Sequence, residues 1–166
     1  MAEAILINRD DLVKFTSLNG ITDTDKFIQY VKIAQDIHLQ NILGTKLLRA
    51  IQDKITNSTL TGDYLALVKD YIKPILIHYS MVEYLPFAPY TISKKGVYKH
   101  SSETSETVSK DEVDKMVWKE RQTAQNYTER FLDYICNNTS KFPEYNENTN
   151  SDVYPSGKNY FGGWHL

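Results

Sequence analysis

The sequence predicts a mainly α fold, a helical bundle of about four to five helices with a β-hairpin or extended arm insertion and an extended C-terminal tail. Three observations lead there. Several segments place apolar residues at helical spacing between Gly, Asn and Pro stops. One stretch, about 91–108, abandons that period for a strand–turn–strand pattern. The last stretch, 142–166, turns to Asn, Ser, Pro, Gly and isolated aromatics. A chain of 166 residues fits one domain and buries roughly two-thirds of its unfolded surface without a metal or disulfide staple.

The elements follow in order. Asn8 caps a short helix running to about Ser17, and Asn19-Gly20 stops it. Thr22-Asp23-Thr24-Asp25 starts a second helix with carboxylates at its positive end. Phe27, Ile28, Val31, Ala34, Ile37 and His38 form its apolar face. Gly44-Thr45 breaks that helix and caps the next, whose face is Leu47, Leu48, Ile51 and Ile55. A turn from Asn57 to Gly62 leads to the most apolar helix, opened by Asp63. Its stripe is Tyr64, Leu65, Val68, Tyr71, Ile72, Ile75, Leu76, Tyr79 and Val82, and beyond Pro74 it is apolar nearly all round, the mark of a central helix. Pro74 lacks an N–H and crowds the carbonyl of Asp70, so a kink is expected there. Pro86 and Pro89 end the helix.

Thr91-Ile92-Ser93, Lys94-Lys95-Gly96 and Val97-Tyr98-Lys99 read as strand, turn and strand, followed by polar Ser101 to Thr107. Ser109 and Glu112 have capping-box spacing. They open a long helix with Val113, Met116, Val117, Ala124, Tyr127, Phe131, Tyr134 and Ile135 on one face, ending near Asn137-Asn138. The helical domain is therefore placed at residues 1–141 and the tail at 142–166. Tyr145, Tyr154, Tyr160, Phe161 and Trp164 are costly residues for a free tail, so it is expected to order against a partner, the alternative being that it folds back on its own domain.

Composition narrows the chemistry. Nineteen Lys+Arg against twenty-one Asp+Glu give a formal charge of −2, unlike the basic excess of a dedicated polyanion binder. The single cysteine, Cys136, excludes an intramolecular disulfide and is read as a buried structural thiol. Twelve Tyr against six Phe and two Trp suggest polar-edged cores or interfaces. The N-terminus has no basic region of a signal peptide, and the apolar run Ile75 to Leu85 is interrupted by His78, Ser80 and Glu83. A soluble protein of a reducing compartment, with no membrane partner, is expected.

Neither a P-loop nor a Gly-x-Gly-x-x-Gly turn occurs. His38, His78, His100 and His165 lack metal-ligand spacing beyond weak pairings such as His78 with Glu83, and His78 reads as a core or interface histidine. Asp10-Asp11, Asp23, Asp25, Asp111, Glu112 and Asp114 sit at helix starts, where the dipole explains them. No catalytic residue, cofactor or metal site is expected, and the chain is not read as an enzyme. Lys94, Lys95, Lys99 and His100, interleaved with Tyr98, form a candidate nucleic-acid patch that Glu103 and Glu106 partly offset. A solvated hairpin tip and strand addition to a neighbouring subunit remain open beside it.

The set of motifs resembles a known family. It comprises Leu6-Ile7-Asn8-Arg9-Asp10-Asp11-Leu12, Tyr30-Val31-Lys32-Ile33-Ala34-Gln35-Asp36-Ile37-His38, Leu43-Gly44-Thr45-Lys46-Leu47, Asp70-Tyr71-Ile72-Lys73-Pro74, Leu85-Pro86-Phe87, Lys95-Gly96-Val97, Phe142-Pro143-Glu144-Tyr145 and the ending Tyr160-Phe161-Gly162-Gly163-Trp164. In these the chain is similar to the head–tail connector (adaptor, or ring) proteins of tailed bacteriophages of Bacteroidetes, including crAss-like phages. That resemblance implies a structural virion protein, made in the host cytoplasm, whose homo-oligomeric ring of about twelve copies sits beneath the portal protein. The ring extends the DNA channel, lets double-stranded DNA pass without specific binding, and docks further connector or tail proteins. It also implies that the tail, with Tyr145, Tyr154, Tyr160, Phe161 and Trp164, reaches the portal. Lys94, Lys95, Val97, Tyr98 and Lys99 would then form a subunit contact or a lumen-facing loop. The alternative is a helical nucleic-acid-binding accessory protein, such as a DNA packaging factor, with the Lys94–His100 hairpin, Arg121 and Arg130 on phosphate.

Overall fold

A computed structural model describes residues 4–16, 24–93, 96–99, 109–147 and 152–156, and they build the mainly helical fold the sequence predicts. Helix α1 (Arg9–Phe15) opens on a reciprocal cap. The Asn8 side chain accepts from the Asp11 N–H at 3.0 Å, and the Asp11 carboxylate accepts from the Asn8 N–H at 3.1 Å. Two donors that a helix start leaves unpaired are thereby satisfied.

The second helical run joins α2 (Thr24–Ala34), a π turn (Gln35–Leu39) and α3 (Gln40–Leu43). Its buried residues are Phe27, Val31, Ala34, Gln35, Leu39, Ile42 and Leu43. A regular α-helix would return to the buried side near residue 38; the extra residue of the π turn moves that position to Leu39. Ile37, expected on the buried face, is consequently 53% exposed. Ile28, also expected there, is 42% exposed because it lies about 100° around the helix from Phe27. The π turn also buries the amide of Gln35. Its Oε1 accepts from the Leu6 N–H, and its Nε2 donates to the Ala4 carbonyl, each at 3.2 Å. Gln52 Nε2 donates to the same carbonyl, so two amides hold the segment that buries Leu6 and Ile7.

Gly44 turns the chain into α4 (Thr45–Thr56), which buries Leu47, Leu48 and Ile51 and half-buries Ile55, as its spacing predicts. After the turn come α5 (Gly62–Leu67), a second π turn (Val68–Ile72) and α6 (Lys73–Tyr84). Directly before Pro74, where a kink is expected, the chain forms this π turn, closed by the Lys73 N–H donating to the Val68 carbonyl. Helix α6 is central: Ile75, Leu76, Ile77, Tyr79, Ser80, Met81 and Val82 are all buried, and the Ser80 hydroxyl returns to the Leu76 carbonyl at 2.6 Å. Leu65, expected on the buried stripe, is 45% exposed.

Strands β1 (Tyr90–Ser93) and β2 (Gly96–Lys99) pair antiparallel, Tyr90 opposite Lys99 and Ser93 opposite Gly96. Helix α7 (Lys110–Asn137) begins with the predicted box: Ser109 N–H donates to Glu112 Oε2 at 2.8 Å, and Glu112 N–H to Ser109 Oγ at 3.3 Å. It packs along α6, which also carries α2. Its buried residues, Ala124, Phe131 and Ile135, lie in its second half, and Met116, expected on that face, is 42% exposed. Cys136 is exposed instead of buried, because it stands one residue, about 100°, past Ile135.

The helical unit does not stop at 141. After a 3-10 turn (Thr139–Lys141), α8 (Pro143–Asn146) folds back, and Phe142 and Tyr145 are 0% and 1% exposed. Phe142 meets Tyr64 at a ring separation of 5.2 Å, and Tyr145 meets Phe131 at 6.1 Å, both edge-on. Burial of two large rings outweighs the polar composition around them.

Candidate functional site

One end of the bundle carries exposed apolar surface. Where α6 stops, Tyr84 packs against Phe27 (4.8 Å) and Tyr30 (5.5 Å), and Phe87 stacks on Tyr30 at 5.7 Å. Burial, and then the neighbouring Tyr30, raise the Tyr84 hydroxyl above the usual tyrosine range. Phe87 and Tyr90, at the foot of the β ladder, are 51% and 47% exposed. Trp118, on the first half of α7, is 62% exposed.

Two similar latches fix the helices that present this end. His78 Nδ1 pairs with Glu120 at 2.7 Å and stacks on Tyr127, linking α6 to α7. His38 Nε2 pairs with Glu83 at 2.7 Å and stacks on Tyr79 at 4.1 Å, linking the first π turn to α6. The pairing of His78 with Glu83 weighed from sequence does not form, because five residues separate the two side chains by about 140° around the helix. Both histidines hold helices together, and among the described residues no cluster of three His, Cys, Asp or Glu could hold a metal.

A groove of about 1130 Å³ runs between α1, the second π turn and α7. Lys73 Nζ bridges its wall to the Asp11 carboxylate at 2.7 Å. Phe15 and Leu65 line it while staying 57% and 45% exposed, and Lys14, Lys69, Arg130, Asp10 and Asp70 give it charges of both signs. Apolar walls with mixed charge suit side chains of another protein better than a polyanion. Among the described residues, no helix is long and apolar enough to cross a membrane.

The residues singled out from sequence separate into groups. Tyr145 is a core residue, its hydroxyl pushed up to about 12 by burial, then by Cys136 and Tyr154. It is therefore withdrawn from the exposed strap, whereas Tyr154 is 51% exposed. Val97, Tyr98 and Lys99 fall in β2. Lys94, Lys95, His100, Tyr160, Phe161, Trp164 and His165 lie outside the described residues. Sequence reasoning missed Trp118, Phe87 and the two latches. A tryptophan off the predicted apolar stripe was the available signal for the first; pairing across helices leaves none.

A family model described as a family of unknown function (DUF6712) matches residues 39–155, from the first π turn to the proline seated on Gly44. No curated protein and no solved structure matches the chain.

Proposed function

The chain belongs to DUF6712, a family of unknown function, and from that premise we propose that it is a structural subunit of a phage head–tail connector. Copies form a ring beneath the portal, extend the DNA channel, and receive further ring or tail proteins. The observation that carries this reading is the exposure of large apolar side chains, Met116 and Trp118 on the first half of α7 and Phe87 and Tyr90 between α6 and the β ladder. Large apolar side chains left exposed in this way support a role in protein contacts. The motif resemblance, from Leu6 to Trp164, supplies the kind of assembly. The β1–β2 ladder makes the subunit contact or faces the lumen. The C-terminal strap consists of Tyr154, Tyr160, Phe161 and Trp164, with Tyr145 anchoring its base in the core.

Electron microscopy of the protein mixed with its portal tests the reading. Rings stacked coaxially on the portal are expected, and they are lost with Trp118→Ala. Absence of any ring on the portal would overturn it. A DNA titration addresses the accessory-protein alternative: negligible affinity is expected, whereas micromolar binding that falls steeply with salt would replace the connector reading.

A further inference from the structure

Where it is described, the C-terminal chain turns back onto the bundle. Phe142 and Tyr145 enter the core, and Pro155 is buried against Gly44, where a Cβ would come within 2.7 Å of its ring. Thr45 fixes the same stretch: its N–H donates to the Val153 carbonyl at 3.0 Å, and its Oγ1 accepts the Val153 N–H at 2.9 Å. Ser156, the last described residue, therefore stands at the foot of the helical run from α2 to α3.

An uncovered apolar strip rises from that foot. Ile33 and Ile37 stand one turn apart on the outer side of the run, 38% and 53% exposed. The π turn that brings Leu39 inward holds Ile37 outward. Lys32 and Asp36 pair with each other at 2.6 Å beside them, so the charges flanking the strip are neutralised. At 1.5 Å per residue, Ile37 lies about 10 Å and Ile33 about 16 Å along the run from Gly44.

We propose that residues 157–166, which lie outside the described residues, form a strap that seats on this strip in the same chain, with Tyr160, Phe161 and Trp164 over Ile37 and Ile33. Reach and composition select this occupant. From Pro155 the chain spans up to about 20 Å to Phe161 and about 30 Å to Trp164, so the rings reach both isoleucines with length to spare. The segment carries no carboxylate side chain and only Lys158 and His165 as basic groups, so it brings aromatic surface to an apolar strip. The seat is shallow. Ordering an extended strap offsets most of what its rings gain on two exposed side chains, so seated and released forms are comparably populated and the fold's own stability barely depends on the strap. A portal that takes up the same rings then competes with a weak intrachain contact. That handover rests on the connector reading, whereas the seat stands without it.

Tryptophan fluorescence of the isolated chain tests the seat. Trp118 and Trp164 are the two tryptophans, so Trp118→Phe leaves Trp164 as the reporter. Its quenching by acrylamide is expected to fall clearly below that of a free peptide of residues 157–166, independently of protein concentration. Adding Ile33→Ser with Ile37→Ser is expected to raise quenching to the level of the peptide, with the melt little changed because neither side chain is buried. Tyr160→Ser with Phe161→Ser, which alters no described residue, is expected to do the same. Leu65→Ser, in the groove between α1 and α7, is expected to leave quenching as it was. Quenching of Trp164 as complete as in the peptide overturns the seat. So does protection that is lost with Leu65→Ser but kept with Ile33→Ser and Ile37→Ser, which would move the strap to the groove. Protection that grows with concentration also overturns it, because the occupant would then be a second copy. Each of these results is distinct from the absence of portal-bound rings, which would bear on the connector reading alone.

Discussion

Within α7, the turns from Lys110 to Arg121 and those from Ala124 to Ile135 have similar lengths and opposite surroundings. The later turns bury Ala124, Phe131 and Ile135, and stack Tyr127 on His78 and Tyr134 on Tyr71. The earlier turns bury nothing completely, half-bury Val113 and Val117, and leave Met116 and Trp118 in the open. One continuous 28-residue helix thus does two jobs. Its second half is stabilised by what it packs against inside the chain. Its first half keeps apolar residues that stay exposed among the described residues, the surface the connector proposal assigns to a neighbouring protein.

The largest expected effects separate those jobs. Removing residues 142–166 deletes the buried rings of Phe142 and Tyr145 and is expected to lower unfolding free energy by roughly 5 kcal/mol or more, enough to abolish a cooperative transition. Removal of 157–166 alone is expected to leave the thermal melt where it was while eliminating attachment to the portal. Phe131→Ala is expected to cost about 3–5 kcal/mol in chemical denaturation, and Trp118→Ala less than about 0.5 kcal/mol. On assembly the order reverses. A central exposed anchor such as Trp118 is expected to weaken ring formation roughly 30-fold when truncated. If Trp118→Ala destabilised the isolated chain as much as Phe131→Ala, the division within α7 would fail.

The same division explains what the sequence makes legible. The helical period of Leu47, Leu48 and Ile51, the all-round apolar run after Pro74, and the Ser109–Glu112 box are local signals, and the fold carries each of them. The period failed at Ile37, because a π turn is an insertion in the count that no local residue announces. It failed at Met116 because an apolar stripe states which side is greasy, not whether the chain itself covers it. Tyr145 was misplaced for the converse reason: composition describes 142–147 as polar, while two rings decide its fate through contacts with α5 and α7. The latches of His38 with Glu83 and His78 with Glu120 join residues 45 and 42 positions apart, a distance at which spacing says nothing.

Tyr145 offers a smaller and sharper test, through pH. Burial raises its hydroxyl from the ordinary 10.0 to about 12, so the folded chain holds the neutral phenol after the unfolded chain has begun to ionise. Its contribution is complete below pH 10 and is lost as pH rises through the folded value. Denaturation midpoints measured from pH 8 to 11.5 are expected to fall more steeply for the native chain than for Tyr145→Phe. A residual slope remains, because burial raises Tyr64 and Tyr84 in the same direction. Equal slopes would mean that the ring is not held in the core.

The smallest expected effect lies at the opposite end of α7. Hydrogen bonds from the Ser109 main chain and hydroxyl, with a lesser contribution from Lys115, hold the Glu112 carboxyl below its ordinary 4.5. A depressed carboxyl contributes above the unfolded value and loses that contribution as pH falls through the folded one. Amide exchange at residues 110–113 is expected to quicken as pH drops below 4, relative to the intrinsic rate at each pH, and Ser109→Ala is expected to do the same at pH 7. The carboxylate is fully exposed and the first turn of α7 buries no side chain completely, so fraying should stay local and the melting temperature should move by less than about 2 °C. A melt that fell in step with the exchange would tie the first half of α7 to the core after all, and Trp118 would then have to be read as a residue of the fold.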